Sequence, residues 1–285
     1  MKFLLLLFCF ATAFSQTKGI VVDSLGTPIP YVSIFVENEN KTTTSEENGT
    51  FTIQVKPQAK LIFSALGYEQ KMVLATEASK VLLKQIIFGL DEVVLKKSKS
   101  TKLLEIGQVS HAILEAFDNG PNIDAKFFPY LEKYKKTKWI KKIILSTDSA
   151  IENACLKLHL YSVDENGFPG EELGNQDMIV TLKKGVYRHQ FDVNAYNIEM
   201  PETGVFVAFE KMRIDRNKVE KTVTNPQTGI SNVEITYAPK VLCYSLKKPF
   251  VYSYMGGKWH KKVNEEEKGE MIQLYEPSLT LLLSN

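Results

Sequence analysis

The sequence predicts an all-β protein: a small β-sandwich, then a larger jelly-roll-like β-sandwich, with a short helix or irregular segment between them. Two observations support this prediction. Apolar runs with a period of two recur along the chain, separated by breaks rich in Gly, Pro, Asn and Asp. The length of 285 residues also fits two domains. The predicted segments are a signal peptide (1–15), a first sandwich (17–97), a connecting segment (98–138) and a second sandwich (139–285).

The first fifteen residues have the pattern of a secretory signal peptide. Lys2 provides a positive start, Phe3–Phe10 is apolar, and Ala13 and Ser15 place small residues at the two key positions for cleavage after Ser15. A membrane anchor is the alternative, but the apolar run is too short to cross about 30 Å of hydrocarbon. Cys9 follows bulky residues, so lipidation is not expected. We therefore predict an exported chain without a transmembrane span after cleavage.

The first sandwich is predicted from short alternating strands. In Thr50–Val55, Phe51, Ile53 and Val55 point to one side of the strand and polar residues point to the other. The pattern has no helical period, and two facing sheets are the simplest way to bury such strands. The other predicted strands are GIVVD, YVSIFVE, KLIFSAL and EQKMVLA.

An ordered set of landmarks adds a resemblance to this pattern. The set is Gly19, Val21, Asp23, Gly26, Pro28, Ile29, Val32, Asn48-Gly49, Phe51, Ile53, Phe63, Gly67-Tyr68-Glu69 and Leu90-Asp91-Glu92-Val93-Val94. It resembles the carboxypeptidase regulatory-like domains, which implies a transthyretin-like sandwich of an exported protein of the Gram-negative envelope. Ser45 and Glu46 depart from the family, which usually has Thr-Asp or Thr-Asn there. Glu lacks the short reach of Asp for a local turn bond, so we expect a looser turn.

The family name does not imply a peptidase. A zinc carboxypeptidase needs clustered metal ligands, whereas His111, His159, His189 and His260 are far apart in the sequence and none belongs to a zinc motif. The sequence also lacks a Gly-x-Ser-x-Gly elbow and a phosphate-binding glycine loop. We predict a protein that is not an enzyme and that uses no metal or cofactor.

The connecting segment contains two ambiguous stretches. Val109, Ile113, Leu114 and Phe117 fit one face of a helix, although a bent strand is an alternative. The lysine-rich stretch at 131–142 would suit an anionic surface such as lipopolysaccharide or an acidic glycan. A solvated strand edge is the favoured interpretation, because lysines discourage edge-to-edge pairing.

The alternating pattern returns in the second sandwich. Leu156, Leu158 and Leu160 are predicted to line one strand face, and LTLLLSN is predicted to be a last, central strand. The other predicted strands are DMIVTL, GVYRHQFDV, GVFVAFEKM, NVEITYA, KVLCYSL, FVYSYM and KWHKKV. KLHLYSVDENGFPGEEL, FDVNAYNIEMP and GVFVAFEKM are similar to the C-terminal module of exported bacterial proteins that begin with the same regulatory-like domain. That resemblance supports the architecture and implies no activity.

Aromatic residues are the candidate ligand-binding site. Tyr252, Tyr254 and Trp259 cluster near a Gly-Gly pair, and such rings can hold sugars. Trp139 is a further candidate. Packing within the sandwich is the favoured interpretation of all four residues.

Three further motifs have a functional and a structural interpretation. Cys155 and Cys243 form either a disulfide, which export permits, or two separate free thiols. The acidic turns at 46–49 and 164–167 have too few alternating oxygen ligands for calcium, and are predicted to be turns. The charged residues of 213–216 either bind a carboxylate or phosphate, or form local ion pairs in a surface loop.

These observations favour a non-enzymatic envelope protein. The leading hypothesis is a structural or docking sandwich followed by a binding or interaction module. Carbohydrate binding is the first alternative, and a glycan-active enzyme with an unrecognised carboxylate pair is the second. The formal net charge of +2 disfavours nucleic acid. The expected partner is an envelope protein or a glycan, and the expected location is the periplasm, the outer membrane or the cell surface.

Overall fold

A computed structural model describes residues 15–86, 102–109, 114–117, 120–174, 176–246, 250–263 and 274–285. Strands dominate, and the only helical segments in these ranges are four 3₁₀ turns of three residues each, so the all-β prediction is confirmed. Within the same ranges, no helix has the length and apolar character needed to cross a membrane. The predicted signal peptide lies almost entirely outside the described residues, as does His111.

The first sandwich has seven strands in two sheets. In one sheet, β1 lies between β4, which is antiparallel to it, and β7, which is parallel to it. The other sheet has the order β3-β2-β5-β6. The strands are β1 (Ser15–Val22), β2 (Ser33–Val36), β3 (Thr42–Thr44), β4 (Thr50–Val55), β5 (Lys60–Ser64), β6 (Lys71–Leu74) and β7 (Lys80–Leu82). In β4 exposed and buried residues alternate as predicted.

Two landmark glycines are required by close packing in this sandwich. A Cβ at Gly19 would lie 2.0 Å from the Ala78 carbonyl oxygen. Gly49 has φ +75°, and a Cβ there would lie 2.8 Å from the Val21 carbonyl oxygen. Only glycine avoids these clashes, and at Gly49 it also avoids left-handed strain, so close packing explains two of the landmarks in the sequence.

The second sandwich consists of two seven-stranded sheets. The first has the order β13-β12-β16-β10-β20-β21, with β14 also paired to β12. The second has the order β22-β19-β11-β23-β8, with β15 paired to β11 and β9 paired to β19. We call them the docking sheet and the outer sheet. The strands after β7 are β8 (Leu103–Ile106), β9 (Leu114–Phe117), β10 (Ile123–Phe128), β11 (Trp139–Ser149), β12 (Ala154–Val163), β13 (Pro169–Glu172), β14 (Met178–Leu182), β15 (Gly185–Asp192), β16 (Val205–Lys211), β17 (Lys218–Thr224), β18 (Ser231–Tyr237), β19 (Lys240–Leu246), β20 (Phe250–Met255), β21 (Lys258–Val263), β22 (Leu274–Pro277) and β23 (Thr280–Ser284).

The main core lies between these two sheets. Leu156, Leu158 and Leu160 are fully buried in it, as predicted. Ile143 and Leu281 of the outer sheet belong to the same cluster. Strand β23 pairs with β11 on one side and β8 on the other, which confirms that the last strand is central.

The segment before residue 139 contributes three strands to this sandwich. Strands β8 and β9 pair in the outer sheet with β23 and β19, and β10 pairs in the docking sheet with β16 and β20. The helix predicted around Leu114 is wrong, because 114–117 is a strand. Strand pairing overrides the weak helical period of this stretch.

Strands β17 and β18 form a separate two-stranded sheet, the ribbon. All residues from 220 to 236 are exposed. The ribbon therefore projects from the second sandwich and adds little to its core.

Candidate functional site

The face of the docking sheet that points away from the main core packs against the first sandwich. Phe35 and Ile62 of the first sandwich form one buried cluster with residues from β10, β12 and β16: Ile123, Ala125, Tyr161, Phe206 and Ala208. The approach is close, because a Cβ at Gly257 would lie 2.3 Å from Ile62 Cδ1. The Asn38 N–H donates to the Gly256 carbonyl oxygen at 3.0 Å. This interface is the most elaborate site on the described part of the chain.

Three of the four predicted aromatic residues meet at this interface. The Tyr254 ring lies edge-on to Phe35 at 4.9 Å and to Trp259 at 5.4 Å, measured between ring centroids. Tyr252 packs edge-on against Phe206 at 4.8 Å. These half-buried rings pack along the contact between the two sandwiches.

Trp139 lies elsewhere. It starts β11 in the outer sheet, where it forms an isolated bridge with Glu199. The Lys138 Nζ lies 5.6 Å from the centroid of its ring. The structure therefore does not join Trp139 to the other three aromatic residues.

A buried charged network lies beside the aromatic rings. It consists of Lys157 and His159 on β12, Glu172 on β13, Asp177 before β14 and Glu210 on β16. Only 1% of Lys157 and 4% of His159 is exposed. Such groups are buried only when they are paired, because an isolated buried charge is costly.

His159 bridges two carboxylates. Its Nδ1 lies 2.6 Å from Glu172 Oε1, and its Nε2 lies 3.2 Å from Glu210 Oε2. Carboxylates accept hydrogen bonds, so both ring nitrogens must carry protons, as in an imidazolium. The Tyr161 ring stacks on the imidazole at 5.5 Å.

The pKa values of the network agree with this geometry. Burial lowers the pKa of His159, but Glu172 and Glu210 outweigh burial and raise it to about 9. Burial raises the pKa of Glu210, but Lys157, His159 and Ser33 outweigh burial and leave it below its ordinary value. Lys157, His159 and Glu210 are therefore charged at neutral pH.

The network crosses to the first sandwich through two residues. The Ser33 hydroxyl donates to Glu210 Oε2 at 2.8 Å. The Lys157 Nζ donates to the Tyr31 carbonyl oxygen at 2.8 Å and to Ser33 Oγ at 3.3 Å. Tyr31 has φ +55°, a strained conformation for a residue with a side chain. These bonds fix the position of β2 on the docking sheet.

Glu46, the departure from the family pattern, makes a second link. Its Oε1 accepts the backbone N–H of Asp215 at 2.9 Å, across the interface. The nearby Thr44 Oγ1 accepts the N–H of Arg213 at 3.1 Å. The longer side chain of Glu therefore reaches the second sandwich, and Ser45 instead accepts the N–H of Val32 within the first sandwich at 2.8 Å.

Cys155 and Cys243 are free, so no disulfide joins them. Cys155 packs with Met212 and Ile214 beside the interface, and Cys243 lies in the main core. The two cysteines belong to different sheets and different clusters, which the sequence did not reveal. Burial is the main cause that raises the pKa of Cys243 to about 12.

The remaining candidate motifs take structural roles. Asp164 Oδ1 accepts the backbone N–H groups of Asn166 and Phe168 at 2.9 and 2.7 Å, which is turn chemistry. The Arg213 guanidinium lies 5.4 Å from the centroid of the Tyr237 ring. Among the described residues, no three His, Cys, Asp or Glu side chains are arranged to hold a metal ion.

Sequence reasoning missed the charged network because it considered only the leucine face of β12. One signal was available in β16, Val205–Lys211, where apolar residues are continuous rather than alternating. Such a run is typical of a strand that is buried on both faces. It implied that a second layer covers the docking sheet.

Comparison with known proteins identifies the first sandwich. Residues 17–95 match the family model described as the CarboxypepD_reg-like domain. The first sandwich is a carboxypeptidase regulatory-like domain. The match covers only the N-terminal part of the chain, and this regulatory-like domain docks on a larger β domain.

The solved structures that are similar to the chain share little of its sequence. No curated protein matches the chain. A structure of infectious bursal disease virus Gx strain is similar at 12% identity and a TM-score of 0.23, covering 94% of this chain and 63% of that chain. The VP2 subviral particle of the same virus gives 11% identity and a TM-score of 0.22, covering 95% of this chain and 59% of that chain. The chain thus spans less than two thirds of these viral chains.

Proposed function

We propose that this chain is an exported, non-enzymatic protein of a Gram-negative envelope, with a structural docking domain and an interaction module. The observation that supports the proposal is the interface of the regulatory-like domain, which uses its β2–β5 face to bind the second sandwich of the same chain. That face is therefore unavailable to an external partner. Binding falls to the exposed surfaces of the second sandwich.

The contact between the two sandwiches also bears on the alternative functions, carbohydrate binding and glycan hydrolysis. Tyr254 and Trp259, the rings proposed to hold a sugar, pack against each other and line the contact with the regulatory-like domain. Glu172 and Glu210 are the two acids that most resemble the carboxylate pair of a glycosidase, because both approach His159. Each of them is already hydrogen-bonded to that histidine. We therefore favour protein interaction over carbohydrate binding and over hydrolysis.

Cross-linking in the native cell tests the proposal. A photo-reactive amino acid is placed at Val186 and Val233 of the second sandwich, which are 66% and 60% exposed, and at Leu25 of the regulatory-like domain, which is 90% exposed. We expect the chain to fractionate with the cell envelope. We also expect a cross-linked protein when the photo-reactive residue is at Val186 or Val233, but not when it is at Leu25. Recovery of the chain only in the cytoplasm would refute export. A glycan-array signal that Trp259→Ala abolishes would favour the carbohydrate alternative.

A further inference from the structure

We infer that the open edge of β18 in the ribbon is a docking site for an extended strand of a different protein. The strand would carry β-branched apolar residues on both sides of a central basic residue. This inference rests on the proposed function, because it names the surface and the partner chemistry of the interaction module.

The ribbon exposes apolar residues that a solvated hairpin does not need. Ile230 and Val233 are each 60% exposed, and Ile235 is 49% exposed. In the described part of the chain, β17 and β18 pair only with each other. Two-stranded sheets are marginally stable in water, and a third strand over an apolar face stabilises them. The ribbon therefore has the composition of an incomplete sheet.

Cross-strand pairing places the apolar residues on one face of β18. Val233 lies opposite Thr222, Ile235 lies opposite Glu220, and Tyr237 lies opposite Lys218. Residues two apart in a strand share a face. Val233, Ile235 and Tyr237 therefore form a continuous apolar row along β18.

The turn determines which backbone groups are free. The Asn225 N–H donates to the Ile230 carbonyl oxygen at 2.9 Å, so this pair is hydrogen-bonded. Bonded and non-bonded pairs alternate along an antiparallel ladder. Asn232 and Glu234 therefore bond to β17, whereas Val233 and Ile235 direct their N–H and C=O groups to the open edge. An added strand would bond to the residues that form the apolar row.

Charge selects the partner. Glu234 lies at the centre of β18 and already faces Lys221 across the ribbon. On its open side, a basic residue would be favourable and an acidic residue unfavourable. A second copy that pairs antiparallel through β18 about this centre would place Glu234 against Glu234. A second copy that offers β17 would supply Lys221, but would leave another edge open and the assembly would not close.

A peptide titration tests strand addition on the full mature chain. The probe is a designed capped peptide, Thr-Val-Thr-Val-Lys-Val-Thr-Val-Thr, whose central Lys would lie opposite Glu234 with Val residues opposite Val233 and Ile235. The matched control has Glu at its central Lys. NMR should show amide protection that alternates along β18, larger at Val233 and Ile235 than at Glu234. We expect the control peptide to bind roughly threefold more weakly.

Two proline variants identify the edge. Ile235→Pro removes an outward N–H from β18 without removing a bond of the ribbon, and should abolish peptide binding. Glu220→Pro makes the matched change on the outward edge of β17 and should leave binding intact. Val233→Lys, at a position that is 60% exposed, provides a second edge variant that keeps the fold. Circular dichroism checks that each variant is folded.

Three outcomes would overturn the inference. They are uniform or absent protection of β18, equal binding by Ile235→Pro and wild type, and concentration-dependent dimers or filaments in sedimentation velocity. None of them would refute the proposed function, since a chain that is exported and cross-links through Val186 retains an interaction module with a different binding surface.

Discussion

At the scale of single residues, His159 shows how a buried charge is kept. Each ring nitrogen faces one carboxylate, and Glu210 also accepts the hydroxyl of Ser33 from the regulatory-like domain. Protonation of His159 thus stabilises the second sandwich directly, and it stabilises the interface through Glu210. One proton on a buried ring therefore affects both sandwiches.

Alkaline pH should weaken the fold through this residue. The ordinary pKa of His159 is 6.5 and the pKa in the folded chain is about 9, so the stabilisation is complete below pH 6.5 and is lost as the pH rises through 9. The difference corresponds to about 3 kcal/mol in the free energy of unfolding. Urea unfolding at pH 6.5 to 9.5 measures it. His159→Gln should remove the slope and His260→Gln should keep it. An unchanged free energy across this range would contradict the assignment.

Glu46 allows a test of side-chain reach. Both Glu46→Ala and Glu46→Asp should lower the free energy of unfolding by about 1 kcal/mol, because neither side chain would reach the N–H of Asp215. Glu47→Ala, at the exposed neighbour, is the control and should change it by less than about 0.5 kcal/mol. A fully stable Glu46→Asp variant would show that reach is unimportant.

At the scale of elements, β12 serves two layers at once. Its leucines face the main core, and its polar residues face the regulatory-like domain. Lys157 belongs to the second face and bonds to Tyr31 and Asp177. The strand therefore couples the packing of one sandwich to the docking of the other.

Removing the charge of Lys157 should destabilise the folded chain. Lys157→Met keeps the length of the side chain but leaves carboxylates buried without their cation, so we expect the free energy of unfolding to fall by about 3 kcal/mol. Lys142→Met, on the outer sheet, removes an exposed bond to Gln190 and should cost less than about 1 kcal/mol. Equal effects of the two substitutions would argue against a buried network.

The strands also show which features of the fold can be predicted from the sequence. A period of two located most strands, including β4 and the leucine face of β12, because burial on one face leaves that pattern. Periodicity misassigned Leu114, because a helical period was taken as decisive where pairing with β19 determines the conformation. It also missed Lys157 and His159, since their burial depends on a layer that is more than a hundred residues away in the sequence.

At the scale of the whole molecule, we expect the interface to make the two sandwiches unfold as one cooperative unit. Phe35 is 2% exposed in it, although Phe35 belongs to the regulatory-like domain and its ring contacts Tyr254 of the second sandwich. Each sandwich also has its own core. Cooperativity therefore depends on the contact between them.

A charge at this contact should separate the two units. In calorimetry the wild-type chain should unfold in one transition, and Phe35→Glu should give two, because a carboxylate cannot be buried against Tyr254 without a partner. Leu25→Glu, at a position that is 90% exposed, should keep one transition. Two transitions already in the wild type would show that the sandwiches unfold independently.

The strained carbonyl of Tyr31 and the hydroxyl of Ser33 have a consequence for how such chains evolve. The regulatory-like domain has polar groups that fit Lys157 and Glu210 of the second sandwich. A replacement domain without a hydroxyl at the position of Ser33 would remove one hydrogen bond from Glu210 and one from Lys157. Shuffling at this boundary is therefore restricted, and the two halves are expected to be inherited together.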